Sequence, residues 1–311
     1  MIQVEDVASN ETSPVVYSIC VANFNMADTL QEALTSVLDQ LDERFEVVVV
    51  DDGSSDDSIS VLDQLSKQYP SLRFISLART RRRLLGETRN VGIRAARGEY
   101  ILLHIDADDV WEPHIKDFVA VFHRIEKCLG RDIYLQGQQI GIGRKSFLLE
   151  RGPYRNTFVE DRDMWHRLAS EKAYLLLEHR VFRKRLPLRV RKKIYKTLWI
   201  KSYNHMLYDL RRNSWPREYV INALTGPFRK GREARSIVHK FVRMVLILPT
   251  YVISRFKEPL EMPPSMPSHS EYVEYRERTK GTYAEIMTRH NCDPDLSFLE
   301  ADAQRIFSVA S

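Results

Sequence analysis

Cysteine is scarce in this 311-residue chain: Cys20, Cys128 and Cys292 are odd in number, far apart and in no metal-ligand spacing. Neither a disulfide framework nor a zinc site is signalled, and a reducing compartment fits best. The opening stretch, Met1 to Ser13, is polar and acidic. It lacks the basic and apolar segments of a signal peptide, so secretion is not expected. Long hydrophobic runs are also missing. In the basic part of the chain the longest uncharged run, Met244 to Ser254, is interrupted by Pro249, and it falls far short of the ~20 residues that span a bilayer. No internal repeat or low-complexity tract occurs. Acids are nearly absent between Arg180 and Arg243, where 19 Lys and Arg stand against Asp209, Glu218 and Glu233, although the whole chain carries only +5. Such a segment attracts nucleic acid, anionic lipid or phosphorylated substrates, and the count alone does not choose among them.

What is present is a chain rich enough in apolar residues, 43% with 10% aromatic, to bury a large core. Val15 to Val21 is a short β-branched run, which predicts a first strand. Leu30, Ala33, Leu34, Val37, Leu38 and Leu41 then recur at spacings of three and four, predicting a helix with Asp28 as its N-cap. Phe45 to Val50 is a near-continuous apolar run, as expected of a strand covered on both faces. The alternation continues with a helix around Ile59 to Leu65, a strand near Leu72 to Leu77, a helix from about Glu87 closed by Gly98, and a strand over Tyr100 to Ile105. Strands and helices alternating in this way imply a mostly parallel sheet flanked by helices.

Three polar clusters follow predicted strands: Ala22 to Asn25, Asp51 to Ser54 and Asp106 to Asp109. In an open α/β sheet they share the carboxyl edge, where ligands bind. Asp106, Asp108 and Asp109 repel one another unless a cation sits among them. Hard oxygen ligands of this kind suit Mg²⁺ or Mn²⁺, which characteristically bind through one or two carboxylates plus substrate phosphates. A plainer alternative is that Asp109 caps the helix starting near Pro113. Beyond that helix, a strand is expected through Ile133 to Gln136. A helix with an acidic first turn is expected from Glu160, and the composition turns basic and helical from about Arg180.

Taken in order, the motifs resemble those of family 2 glycosyltransferases of the GT-A fold. Val15 to Asn25 is similar to the family's opening strand and loop, and Val49 to Ser54 matches its Val-Asp-Asp-Gly-Ser signature. Gly86 to Gly92 and Arg97 to Tyr100 resemble its Ala-Arg-Asn-x-Gly and Ala-x-Gly-Glu-Tyr elements. Asp106 to Asp109 resembles its metal motif, and Glu160-Asp161 with Asp163, Trp165, Arg167 and Leu168 its Glu-Asp segment. The resemblance covers about Val15 to Ala169. It implies a GT-A type, Rossmann-like sheet and an inverting transfer from a nucleotide-diphospho-sugar, with a UDP-sugar favoured. It further implies Asp161 as catalytic base and Asp108 as ligand of Mn²⁺ or Mg²⁺. Ala22, Phe24 and Asp51 would take the base of the nucleotide, Arg89 the phosphates, and Asp106 the ribose or sugar. Asn25, Asp52, Asn90, Asp109 and Glu160 are supporting candidates. The first-loop Pro is absent here, Ala22 and Asn23 occupying that stretch, which bears on the shape of the base pocket. The distal Gln/Arg-x-x-Arg-Trp element of processive synthases is missing and no bundle of transmembrane helices follows, so addition of a single sugar is expected.

Each residue also has a duller reading. Asp51 and Asp52 before Gly53 suit a turn bonded to its own backbone, Arg89 a surface pair with Glu87 or Glu99, and Glu160-Asp161 a helix start. His104 is expected to be buried and satisfied, and His166 and His179 are unassigned. The expected organisation is a polar tail over 1–13, the catalytic domain over 14–175, a basic helical region over 176–265 and a C-terminal helical tail over 266–311. In the basic region Val238, Phe241, Val242, Val245, Leu246 and Tyr251 interleave with Arg235, Lys240 and Arg243, after Arg183 to Arg185 and Arg191 to Lys193. That pattern suits an amphipathic element on an anionic membrane, presenting a glycan or lipid-linked acceptor, or a helical region whose apolar stripe packs on the catalytic domain. The location expected is cytoplasmic, with peripheral contact to the cytosolic face of the membrane. A nucleotide-sugar-binding scaffold without turnover is the alternative. A nucleic-acid-binding protein is a weaker one, since no reading module is present and no nucleic acid is expected.

Overall fold

The computed structural model describes residues 15–187, 194–212, 216–225, 234–261 and 269–309. The polar tail over 1–13, the basic triplet Arg191 to Lys193 and most of the Pro-rich break after Glu258 lie outside them. The first half alternates as its hydrophobic pattern predicts: β1 (Tyr17–Asn23), α1 (Ala27–Leu38), β2 (Phe45–Asp51), α2 (Ser58–Gln68), β3 (Leu72–Ser76), α3 (Leu85–Ala95) and β4 (Tyr100–Leu103). Then follow β5 (Asp109–Trp111), α4 (Ile115–Leu129), β6 (Tyr134–Gln136), β7 (Gly141–Arg144), α5 (Lys145–Glu150), α6 (Glu160–Ser170), β8 (Tyr174–Leu176) and β9 (Arg183–Arg185).

Seven strands form one sheet in the order β3-β2-β1-β4-β7-β6-β8. The first four are mutually parallel, β7 runs against β4 and β6, and β8 is parallel to β6. The sheet is therefore mostly parallel and covered on both faces. Ile19, Val21, Val47 and Val49 point into a core built with α1, α2 and α4, whereas Cys20, Ile101 and Leu103 point into a second core with α3, α5 and α6. This is the two-residue period of a strand expressed as two separate apolar layers. Gly98 is required where the chain enters β4, since a Cβ there would lie 2.7 Å from the Ser18 backbone nitrogen.

Beyond β9 come α7 (Ile194–Arg212), α8 (Pro216–Thr225), α9 (Ala234–Arg255), α10 (His269–Thr279), α11 (Tyr283–Arg289) and α12 (Ala301–Phe307). Met206, Leu210, Ala223 and Ile247 form a small core of α7 to α9. That unit is fastened to α6 by polar contacts: Tyr208 donates to the buried Asp163 at 2.9 Å, and Arg162 to Asp209 at 2.9 Å. The C-terminal residues Tyr283, Ile286, Ile306 and Phe307 sit in the main core.

Two local expectations need correction. The N-cap of α1 is Met26, with Asp28 inside the first turn, where its charge faces the positive end of the helix dipole. Asp109 caps no helix: it opens β5 and is fully buried, and α4 begins at Ile115 after His114. The cysteine expectation is also overturned, because Cys128 and Cys292 form a disulfide across a sequence separation of 164, and Cys20 is free and buried. The loop after α11 packs beside the end of α4, and no spacing along the chain signals that encounter. The cysteines therefore give no argument for a reducing compartment.

Candidate active site

The carboxyl ends of β1, β2 and β4 open on one rim, at the point where the strand order turns from β1 to β4. On β2, Asp51 is fully buried. It accepts from Asn23 Nδ2 at 2.7 Å, from the Gly53 and Ser54 backbone at 3.1 and 2.9 Å, and from Ser54 Oγ at 2.5 Å. Its carboxylate thus organises the turn, in which Gly53 has φ +72° and a Cβ would meet the Arg79 backbone at 2.7 Å. Only glycine fits both demands. Asp52 is paired with Arg79 and with Arg83, whose Nε lies 2.6 Å away. Phe24, beyond Ala22 at the end of β1, is exposed and carries the Arg79 guanidinium 4.1 Å over its ring. Asn25, at φ +52°, accepts from the Ser55 backbone at 2.8 Å and ties the two loops together.

After β4, Thr29 of α1 donates to the Ala107 carbonyl at 2.8 Å and holds the acidic loop. Asp106, Asp108 and Asp109 each offer an oxygen within 4.8 Å of the others. This donor set fits a hard divalent cation. Pairing of β5 with β9 brings Asp109 opposite Arg185, and the basic strand lies across the cluster. Arg183 donates to Asp109 at 2.6 Å; Arg185 reaches Asp109 at 3.0 Å, Asp106 at 2.9 Å and Asp108 at 3.6 Å. Asp109 is bound by both arginines, whereas of this pair Asp106 and Asp108 face Arg185 alone. Neither expectation for the basic stretch, a membrane-facing element or a region packed on the catalytic domain, includes this clamp of Arg183 and Arg185 on the aspartates. The only signal was their nearness in sequence to the end of the α/β pattern.

The second acidic pair, Glu160 and Asp161, opens α6. Arg89, buried on α3, donates to Glu160 at 3.2 Å and to Asp161, and lies 3.9 Å from Asp106. Its surface pairing with Glu87 or Glu99 is therefore not what the fold builds. Burial works against the Arg89 charge, but Asp161, Glu160 and Asp106 outweigh it and hold the guanidinium firmly protonated. One cation does not neutralise three carboxylates. Burial, reinforced by Asp161, accordingly pushes Glu160 up to about 7, and burial raises Asp106 against the pull of Arg89 and Arg185. Asn90 grips the Tyr154 backbone at both ends, at 2.7 and 3.0 Å, and so fixes the loop leading to α6.

His104 and His179 are both buried. His104, at φ +65°, is buried 3.6 Å from Asp161, and burial lowers its pKa to about 4, so it is neutral. His179 accepts from the Gln138 backbone at 2.9 Å through Nε2 and donates through Nδ1 to the Arg180 carbonyl at 2.8 Å.

The sequence profile of glycosyl transferase family 2 matches residues 18–184, more than half of the chain. An uncharacterized glycosyltransferase of Nostoc sp. is 34% identical over 151 residues, which cover 43% of this chain and 46% of the relative. A poly(ribitol-phosphate) beta-glucosyltransferase of Bacillus spizizenii is 37% identical over 95 residues, 30% of this chain and 14% of the relative. The chain thus spans less than half the length of these curated relatives. A crystal structure of S. aureus TarS, residues 1–349, is similar with a TM-score of 0.49 at 18% identity, covering 78% of this chain and 73% of that one.

Proposed function

The chain belongs to glycosyl transferase family 2, and we propose on that basis that it moves a single sugar, with inversion, from a nucleoside-diphosphate sugar to a hydroxyl of a glycan or lipid-linked acceptor. One observation carries the reading: Arg89 reaches Asp161 and Glu160 with one guanidinium nitrogen and faces Asp106 with another. The carboxylate for the acceptor proton and the carboxylates for the donor thus flank one small space. Asp161 takes the acceptor proton as the acceptor oxygen bonds to the anomeric carbon. The bond from that carbon to the β-phosphate oxygen breaks in the same displacement, and the nucleoside diphosphate leaves with the electron pair. Asp106 and Asp108 would hold Mn²⁺ or Mg²⁺, and when bound the ion offsets the negative charge gathering on the leaving diphosphate. Phe24 and the turn held by Asp51 supply a face for the nucleotide base. The Bacillus spizizenii relative is named for glucosyl transfer to poly(ribitol phosphate), which agrees with a polymer or surface-glycan acceptor. A panel of nucleotide sugars with Mn²⁺ or Mg²⁺, scored by thermal stabilisation and hydrolysis, tests the reading; no metal-dependent binder in the panel ends it.

A peripheral membrane contact is supported by α9. Val238, Phe241, Val245, Leu248 and Val252 are all exposed, at spacings of three and four, and Phe256 beyond them is 85% exposed. This stripe lies away from the small core that Ile247 joins. Among the described residues no helix is long and apolar enough to cross a membrane. The stripe instead suits a helix lying in the headgroup plane. Flotation with anionic liposomes at low salt should carry the protein upward; a protein that stays at the bottom excludes the contact.

A further inference from the structure

A groove of about 630 Å³ runs from Asp161 between the start of α6, the middle of α7 and α10. Half of its lining comes from α7 and α10, outside the segment shared with the family, which ends at residue 184. Phe158, Trp165 and Ile200 line its apolar part, and Arg162, Lys201 and Arg276 bring positive charge to it. The hydrogen-bond inventory of this wall is lopsided. Its acids, Glu160 and Asp161, are already bound by Arg89. By contrast, Arg162 Nε, Arg276 Nε and Trp165 Nε1 are buried donors without an acceptor, although the same guanidiniums reach Asp209 and Glu277 through Nη2, and Lys201 is exposed on the groove wall. Buried donors without acceptors are costly, and each calls for an explanation such as an absent acceptor, water or ion. A neutral sugar brings as many donors as acceptors. A phosphate brings acceptors only, and cationic donors bind it more strongly than neutral ones do.

We propose that this groove binds the acceptor, and that the acceptor carries a phosphate beside the sugar or polyol unit whose hydroxyl is glycosylated. The reactive hydroxyl lies at Asp161, the unit rests on Phe158 and Trp165, and the phosphate lies toward Lys201, Arg162 and Arg276. The inference rests on the transferase reading, which supplies the role of Asp161, and adds the chemistry of the second substrate.

Calorimetric titration of the full chain tests it, with EDTA present so that phosphates do not engage a divalent ion. The probes are farnesyl diphospho-N-acetylglucosamine, a ribitol phosphate trimer, inorganic phosphate and methyl N-acetylglucosaminide. At least one of the first two should bind about ten-fold or more tighter than the methyl glycoside and than inorganic phosphate. Lys201→Glu should remove that advantage and Lys201→Gln should reduce it, both leaving UDP affinity with Mn²⁺ unchanged. Preference for the farnesyl probe identifies a lipid-linked source, and preference for the trimer a polyol phosphate. The proposal is overturned if neither compound outbinds the methyl glycoside, if inorganic phosphate binds as tightly as both, or if the Lys201 variants keep wild-type affinity. A wild-type protein that binds no nucleotide in any metal-dependent way would instead sink the transferase reading, which separates the two failures.

Discussion

Two arginines hold the two acidic clusters of the site, Arg185 over Asp106, Asp108 and Asp109, and Arg89 between Asp106, Glu160 and Asp161. The Arg185 side chain is 48% exposed and comes from a short strand at the end of the α/β unit, whereas that of Arg89 is 9% exposed on a central helix. A guanidinium under solvent can leave its carboxylates at little cost, because water replaces the lost contacts. A buried one cannot, since its departure strands carboxylates in a medium of low dielectric. The first cluster is therefore the exchangeable one, and on the proposed transferase reading a divalent ion and its diphosphate would take the guanidinium's place. The second is a fixed frame that aims Asp161.

The contrast is sharpest in turnover. Asp161→Asn should retain donor binding and lower transfer by about 10²–10⁴-fold, the range of general base catalysis; undiminished transfer in a single-turnover assay removes Asp161 as the base. Stability comes next. Arg89→Met should lower unfolding free energy by about 3–5 kcal/mol, and Arg185→Ala by less than about 1 kcal/mol, both read from urea denaturation. Equal losses would dissolve the distinction between the two arginines.

Proton linkage is a smaller effect. Glu160 ordinarily titrates near 4.5 and is raised to about 7 in the fold. Between those values the folded chain keeps a proton that the unfolded chain has released, so stability falls as pH rises through the window. Glu160→Gln should flatten that slope, and an unchanged slope would mean that Arg89 neutralises the pair fully. The smallest effect expected is on metal binding without nucleotide. Arg185→Ala should tighten Mn²⁺ binding several-fold by freeing Asp106 and Asp108, at the scale of an exposed ion pair. Weaker binding, measured by electron paramagnetic resonance of the free ion, would mark Arg185 as an aid to the ion rather than its competitor.

Much of the α/β unit is legible along the chain. The apolar runs at Val47 to Val50 and Tyr100 to Ile105 and the helical stripe from Leu30 to Leu38 are local periodicities, and they set strands, helices and the polar loops between them. The strand predicted over Tyr100 to Ile105 ends at Leu103 because His104 turns left-handed, which is a backbone event that apolarity does not encode. The partners of Arg183 and Arg185 are not legible along the chain, because charge sign says nothing of which acid lies opposite in a sheet. The Cys128–Cys292 disulfide escaped for a related reason, as a separation of 164 residues carries no spacing signal.

Residue order alone was enough for the α/β alternation, the family signatures and the rim on which Asp51, Asp106 and Asp108 gather, because each depends on neighbours a few positions apart. Only the tertiary structure decided that Arg89 joins Asp106 to Asp161, that β9 lays Arg185 over the aspartates, and that α7 and α10 enclose a donor-rich groove beside Asp161. Those contacts join positions tens to hundreds of residues apart, and such proximity belongs to the path of the folded chain.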